Sequence, residues 1–233
     1  MPEVVNFGKR LLAAAEFVRP GAVFADIGTD HASLPIYLAQ KGIITRAYAC
    51  DIATSPIELA AANIKSAGLE HVISTVQTNG FNGLDVLGIT DAAVCGMGAE
   101  LTVELLSSEG SAFLRRDRVR LIFQPMSRAS FLRGYLVENG FAIIDEKIVR
   151  DAGRQYELIC AEYTGENCVL SPLQLQLGKN NMERGGTELA VLAKRRILHL
   201  TNYAKGLSRS EKEKTDILIS QLKEISEKYN ERN

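Results

Sequence analysis

The chain has 233 residues, of which 46% are hydrophobic and 24% are charged, and its formal net charge is −1. These values predict one full α/β domain with a sizeable core and a small additional unit. No stretch approaches the roughly 18 consecutive apolar residues of a membrane helix, and no signal peptide is recognisable. The composition therefore excludes a membrane protein and predicts a cytoplasmic one.

Charge distribution and cysteine usage bear on partners and metals. Residues 169–233 carry 12 Lys and Arg against 8 Asp and Glu, so a basic segment follows an acidic body. This asymmetry favours a polyanionic partner, although a solvated helical surface shows the same modest excess. The four cysteines form no C-x-x-C pair and the chain has three histidines, so we expect neither a disulfide framework nor a metal site.

The first elements in chain order are an amphipathic helix over residues 6–18 and a strand over residues 22–27, which leads into a turn that opens a helix near His31. Such a turn is where an open parallel sheet binds a nucleotide-like ligand. Gly28 allows the ligand to approach the backbone closely. Asp30 occupies the place where a dinucleotide turn has a glycine facing the pyrophosphate. A carboxylate there disfavours NAD and favours a ligand with an ammonium and a sulfonium, such as S-adenosylmethionine. A structural turn without a ligand is the alternative, because such residues also cap helices.

The second predicted strand covers residues 46–51 and ends at Asp51. An acidic residue roughly 20 positions after the glycine turn is expected to bind ribose hydroxyls. Asp51 could instead cap the next helix, predicted over residues 55–67. A capping box from Ser55 to Glu58 would take that role and leave Asp51 free for a ligand.

Strand and helix patterns alternate through the next hundred residues. Strands are predicted at 72–77, 91–95 and 119–123, helices at 100–107 and 128–139, and a final hairpin at 141–151 and 155–163. This order predicts a doubly wound, mostly parallel, seven-stranded sheet with one antiparallel strand. It is the Rossmann-like arrangement of class I methyltransferases, rather than the dehydrogenase variant, and we assign it to residues 1–168.

The pattern changes at Pro172. Residues 181–206 and a final helix opened by a capping box at Ser208–Glu211 both carry apolar residues at helical spacing. They predict an antiparallel coiled-coil hairpin within a second domain, residues 169–233. A helical cover packed on the sheet is the alternative.

Residues at the ends of the first four strands are the candidates for binding the methyl donor. Gln77 and Thr78 would frame its adenine, and Gly96 and Met97 would face the acceptor. The complete set is Asp26, Gly28, Thr29, Asp30, His31, Asp51, Ile52, Gln77, Thr78, Asn79, Gly80, Cys95, Gly96 and Met97.

These motifs together resemble those of the bacterial tRNA (adenine(22)-N1)-methyltransferase family. The resemblance rests on A-D-I-G-T-D-H-A from Ala25, C-D-I from Cys50, N-G-F from Asn79, G-M-G from Gly96 and Q-P from Gln124, and it covers nearly the whole chain. It departs at Phe81, where the family often has leucine, and at Ala99, where glycine is common. The resemblance implies S-adenosylmethionine as cofactor, a Rossmann-like catalytic domain, a C-terminal coiled coil and tRNA as substrate.

Methylation of adenine N1 needs no general base, because N1 carries a lone pair and no proton. The chemistry instead needs orientation of the base and exclusion of water. We therefore leave the catalytic residues unassigned, with Asp30, His31, Gly96 and Met97 as candidates. A histidine at this position is more often a cap or a packing residue than a proton carrier.

Basic residues in the first helix and in the C-terminal segment are candidate phosphate contacts. They are Lys9, Arg10, Lys194, Arg195, Arg196, Lys205 and Arg209. A solvated helix face is the alternative interpretation. Two other functions are kept open: a methyltransferase acting on a small molecule or protein, and a non-catalytic nucleotide-binding regulator.

Overall fold

A computed structural model describes residues 7–230 of the chain, and a seven-stranded sheet forms its centre. The strands are β1 Ala22–Ile27, β2 Ile44–Asp51, β3 Ile73–Gln77, β4 Asp91–Cys95, β5 Arg120–Gln124, β6 Phe141–Asp151 and β7 Arg154–Tyr163. Their order across the sheet is β3-β2-β1-β4-β5-β7-β6, and only β7 runs antiparallel to its neighbours. The predicted doubly wound sheet with one antiparallel strand is confirmed.

Helices cover both faces of the sheet because the strand residues alternate between two apolar clusters. In β1, Phe24 packs on one face and Ala25 on the other; in β5, Ile122 and Leu121 divide in the same way. The first face is covered by α1 Lys9–Ala15, α2 Ser33–Gln40 and α3 Thr54–Ser66, and the second by α4 Ala99–Ser107, α5 Ala112–Arg116 and α6 Ala129–Glu138. The predicted first helix is shorter than expected, and residue 6 of that prediction lies outside the described residues.

Within residues 169–230, the described part of the C-terminal unit, four α-helices are present, and the sequence pattern does not predict two of them. They are α7 Pro172–Leu177, α8 Lys179–Arg184, α9 Thr187–Tyr203 and α10 Arg209–Asn230. The prediction of one helix over residues 181–206 is wrong at its start. Gly185 and Gly186 have φ values of +67° and +98° and separate α8 from α9. The ring of Tyr229 also occupies the space that a Cβ on Gly185 would need.

Helices α9 and α10 form the predicted helical hairpin. They are joined by the short turn Ala204–Gly206 and share an apolar core that includes Leu192, Leu200 and Leu222. Ile148 of β6 packs against the same core, so the hairpin also covers the edge of the sheet. At the start of α10, both the backbone N–H and the hydroxyl of Ser208 donate to Glu211 Oε2.

A buried ionic network joins the sheet to the C-terminal unit. Arg133 of α6 is fully buried and donates to Glu146 at 2.6 Å and to Glu157 at 3.0 Å. It also donates to the carbonyl of Leu175 in α7 at 3.1 Å. Arg196 of α9 donates to the second oxygen of Glu157 at 2.5 Å. The division of the chain at residue 168 stays a prediction, since these bonds cross it.

Candidate functional site

The turn after β1 is held against the neighbouring strand by backbone hydrogen bonds. The N–H groups of Gly28 and Thr29 both donate to the carbonyl of Cys50 in β2, at 2.9 and 2.8 Å. Gly28 has a φ of +75°, and a Cβ there would collide with the methyl group of Met97. Ala32 takes a φ of +53° directly before α2, so the helix begins at Ser33, slightly later than predicted. Residues 29–32, between Gly28 and the helix, therefore form a loop.

Asp26 lies at the carboxyl end of β1, and its side chain is buried. Thr29 donates a hydrogen bond of 2.8 Å to Asp26 Oδ2. Burial raises the pKa of the Asp26 carboxyl from 3.8 to about 6; the Thr29 hydrogen bond and the positive charge of Arg10 oppose this effect, and Asp51 adds to it. Asp26 is thus a buried acid whose charge changes at about pH 6 rather than at about pH 4.

Two hollows lie on either side of Gly28, and the first contains most of the turn. Asp30 and His31 are exposed in it, with His31 Nε2 2.9 Å from Asp30 Oδ2. This first hollow is lined by Arg10, Leu11, Asp26, Gly28, Thr29, Asp30, His31, Ser33, Leu34 and Cys95. It therefore combines two acidic side chains with one guanidinium.

The second hollow extends from Gly28 toward the end of β3 and is more apolar. It is lined by Ile27, Gly28, Asp51, Ile52, Thr78, Asn79, Gly80, Met97, Leu101 and Leu105. Asp51 is half-buried at its edge. The apolar wall of this hollow can contact a flat ring, and its single carboxylate can accept hydrogen bonds from hydroxyl groups joined to that ring.

Asp51 also has a local structural role, which is close to the helix-capping role considered as its alternative. Its Oδ1 accepts the backbone N–H of Ala53 at 2.8 Å. The predicted capping box is wrong: α3 begins at Thr54, its N-cap is Ala53, and no side chain caps it. Within residues 7–230, Asp51 Oδ2 has no hydrogen-bond partner in the protein.

All but two of the predicted donor-binding residues line one of the two hollows. Gln77 instead donates to the carbonyl of Ile52 at 3.1 Å and to Thr54 Oγ1 at 3.2 Å, so it braces the loop after β2. Gly96 has a φ of +85° and donates its N–H to the carbonyl of Gln124 at 3.0 Å. It shapes the loop between Cys95 and Met97, which do line the hollows. The binding roles themselves stay predictions.

Arg10 is predicted to contact RNA phosphates, but it lies in the first hollow. Its Nη1 donates to Gln124 Oε1 at 2.5 Å, and its guanidinium lies 5.7 Å from the centre of the Tyr156 ring. Local patterns carry no signal for this position, because it depends on how α1 packs across the sheet. The other unpredicted lining residues are Leu11, Ser33, Leu34, Ile27, Leu101 and Leu105.

The loops after β4 and β5 meet at the open side of the hollows. The N–H of Met126 donates to the carbonyl of Met97 at 2.8 Å. Among residues 7–230, no group of three or more His, Cys, Asp or Glu side chains could hold a metal ion. Over the same range, no helix has the length and apolar character needed to cross a bilayer.

The basic residues proposed for RNA contact do not all lie free at the surface. Lys9 is exposed, Lys194 donates to Asn230, and Lys205 donates to Asn202. Arg209 pairs with Glu213 at 3.4 Å on the exposed surface of α10. Arg195 is exposed and donates to the backbone and side-chain oxygens of Gln155, whereas Arg196 is engaged with Glu157.

Comparison with known proteins agrees with this geometry. A family model described as a methyltransferase domain matches residues 7–159. The tRNA (adenine(22)-N(1))-methyltransferase of Bacillus subtilis (strain 168) is 33% identical over 177 residues, which is 75% of this chain and 72% of that protein.

Solved structures extend the similarity to nearly the whole chain. The B. subtilis m1A22 tRNA methyltransferase TrmK is 26% identical, with a TM-score of 0.80 over 95% of this chain and 99% of that one. A candidate tRNA (m1A22) methyltransferase from Streptococcus pneumoniae, solved in complex with S-adenosyl-L-methionine, is 29% identical, with a TM-score of 0.81 over 94% of this chain and 98% of that one. With these relatives and the matching methyltransferase domain, the chain belongs to the tRNA (adenine(22)-N(1))-methyltransferase family.

Proposed function

We propose that this protein transfers a methyl group from S-adenosylmethionine to N1 of adenine 22 in tRNA. The observation that carries the proposal is the pair of hollows around Gly28, with carboxylates at the ends of β1 and β2. The similarity to the B. subtilis enzyme supports the choice of substrate. A tRNA substrate would place this activity in the cytoplasm.

The side chains in the two hollows match the chemical groups of the donor. In the first hollow, Asp26 and Asp30 would attract the ammonium and the sulfonium, and Arg10 would attract the carboxylate. In the second, Asp51 would accept hydrogen bonds from the ribose hydroxyls. The apolar side chains of the second hollow would contact the adenine ring.

The reaction asks the protein for positioning rather than proton removal. S-adenosylmethionine supplies an electrophilic methyl group on a sulfonium. The target adenine must leave its stack, at a cost of a few kcal/mol, and present the N1 lone pair to the open side of the hollows. The loops around Met97 and Met126 are joined there by a backbone hydrogen bond, so they form a fixed edge against which the base can be oriented.

We further propose a division of labour between residues 1–168 and residues 169–233. The donor hollows are built entirely from the first segment, and the exposed Lys194, Arg195, Lys205 and Arg209 belong to the second. These four side chains would contact phosphates of the tRNA. For Arg196, an RNA contact would have to replace its bond to Glu157.

The test compares two tRNA transcripts that differ only at nucleotide 22. Purified protein, S-adenosylmethionine and each transcript are incubated, and the digested nucleosides are measured by mass spectrometry, with primer extension to locate the modification. We expect 1-methyladenosine at position 22 only in the transcript with adenine there. Methylation of both transcripts at another position, or of neither, would contradict the proposal. The Asp51→Ala variant is the control for donor-dependent activity.

A further inference from the structure

An open groove lies between the body, residues 7–168, and the C-terminal unit, residues 169–230. It is outside the two donor hollows. Its walls are the loop between β5 and α6, the turn between β6 and β7, and one side of α9. Five arginines line it and one carboxylate, that of Glu157, faces them. The arginines are Arg128, Arg150, Arg154, Arg195 and Arg196.

Two of these arginines keep an uncompensated charge. Arg128 pairs with Glu100, Arg150 with Glu188 and Arg196 with Glu157. Arg154 and Arg195 are exposed, and neither has a carboxylate partner among residues 7–230. Arg154 comes from the β-hairpin of the body, whereas Arg195 comes from α9, so the free charge is shared by both sides of the groove.

The groove begins where the donor hollows end. Met126, in one wall of the groove, donates its N–H to the carbonyl of Met97, which lines the second hollow. On the other side, Arg10 of the first hollow lies over the ring of Tyr156, which lines the groove. A strand whose adenine enters the site from this side would pass its neighbouring phosphates along the arginines.

We propose that this arginine groove binds the phosphates beside the target adenosine, with Arg154 and Arg195 as the principal contacts. The inference rests on the proposed function. Guanidinium groups match phosphate geometry with paired hydrogen bonds, and two arginines from opposite walls can hold one strand between them. The tRNA would then be gripped by the body and the C-terminal unit together, rather than by the C-terminal unit alone.

The test compares a variant that lacks both unpaired arginines of the groove with a variant that lacks two positive charges elsewhere. The variant is Arg154→Ala with Arg195→Ala. The control is Arg46→Ala with Lys65→Ala, which removes the same net charge at exposed positions near the opposite, amino-terminal edge of the parallel strands. The tRNA affinity is measured at several salt concentrations, and S-adenosylmethionine affinity is measured in parallel.

We expect the groove variant to bind tRNA roughly tenfold more weakly or worse, because two charge-assisted contacts are lost. The slope of log affinity against log salt should fall by about two, since each phosphate contact releases about one counterion. Donor affinity should not change. The variant Arg154→Lys with Arg195→Lys should regain most of the salt slope, which separates lost charge from lost folding.

The outcomes separate this inference from the proposed function. Methylation of adenine 22 by the wild-type protein, together with equal tRNA affinity and equal salt slope in the groove and control variants, would overturn the groove assignment alone. A groove that serves a protein partner would give that same result. Binding of tRNA that depends on the two arginines, without methylation at position 22, would support the groove and overturn the proposed function. Failure of the wild-type protein to bind tRNA would overturn both.

Discussion

Asp26 and Asp51 stand at the ends of adjacent strands, yet their surroundings give them different properties. Asp26 is buried and has a raised pKa, whereas Asp51 is half-buried and uses one oxygen to fix the loop before α3. The strand ends therefore offer one carboxylate that is sensitive to pH and one that has an oxygen free for a ligand.

Replacing Asp51 should weaken donor binding. Asp51→Ala should reduce S-adenosylmethionine affinity by roughly 10- to 100-fold, because charge-assisted hydrogen bonds contribute about 1.5–3 kcal/mol. Calorimetric titration measures the change. Asp51→Asn keeps an acceptor for Ala53 and should retain the fold, so it isolates the loss of charge. The exposed Glu70→Ala serves as a control; unchanged donor affinity in a folded Asp51→Ala protein would contradict the assignment.

Asp26 should make the stability of the ligand-free protein depend on pH. Its pKa is about 6 when folded and about 3.8 when unfolded, so the unfolded chain ionises first as the pH rises. Below about pH 4 the carboxyl is protonated in both states, so it does not change the free energy of unfolding. Above about pH 6 its ionisation lowers the free energy of unfolding by about 3 kcal/mol. Asp26→Asn lacks this effect. Its stability relative to wild type should therefore increase between pH 4 and pH 7 and then level off.

Urea unfolding of both proteins across this pH range measures the difference. A gap between variant and wild type that stays constant with pH would show that Asp26 does not titrate as described. Because Asn retains a side-chain oxygen for the hydrogen bond from Thr29, the comparison changes the charge while keeping that contact available.

At the scale of elements, the buried Arg133 binds α6 to both strands of the terminal β-hairpin and to α7. A buried guanidinium is stable there because two carboxylates and one carbonyl accept its hydrogen bonds. The network explains how the C-terminal helices keep a defined position on the edge of the sheet.

Removing this arginine should be strongly destabilising. Arg133→Leu leaves Glu146 and Glu157 without a main partner, and the free energy of unfolding should fall by about 3–5 kcal/mol. Arg116→Leu is the matched control: it removes an ion pair with Asp117 on the exposed surface, so the free energy of unfolding should change far less. The two variants are compared by urea unfolding, and similar losses would argue against the network.

For the whole molecule, the donor site lies within residues 1–168, whereas the proposed RNA surface also needs residues 169–233. Deleting residues 169–233 should preserve S-adenosylmethionine binding, because every residue lining the two hollows lies before residue 106. The same deletion should weaken tRNA binding and lower the slope of affinity against salt. It should also lower stability, since it removes Arg196 and the carbonyl of Leu175 from the buried network.

Affinity measurements with both ligands at several salt concentrations test this expectation. Equal tRNA affinity and salt slope in the full-length and truncated proteins would assign the C-terminal unit to stability instead. Loss of donor binding by a truncated protein that remains folded would contradict the proposed division at residue 168.

The strands, their order along the chain and the turn that carries Gly28 could be predicted from the sequence. Apolar runs bounded by glycines mark β1 and β4 clearly, because a buried strand needs both a continuous apolar stretch and a residue that can turn at its end. The resemblance to the family could also be recognised from the sequence, since the motifs that carry it are short and contiguous.

Which distant side chains share a site depends on the tertiary structure. Arg10 reaches Gln124 across 114 positions, and Arg133 meets Glu157 and Arg196 in one buried network. The arginine groove likewise combines a loop, a hairpin turn and a helix that have no common local pattern. Local sequence sets the backbone preference and the buried face of each element. Contacts between elements depend on how whole faces pack together, and no single segment of the sequence determines that packing.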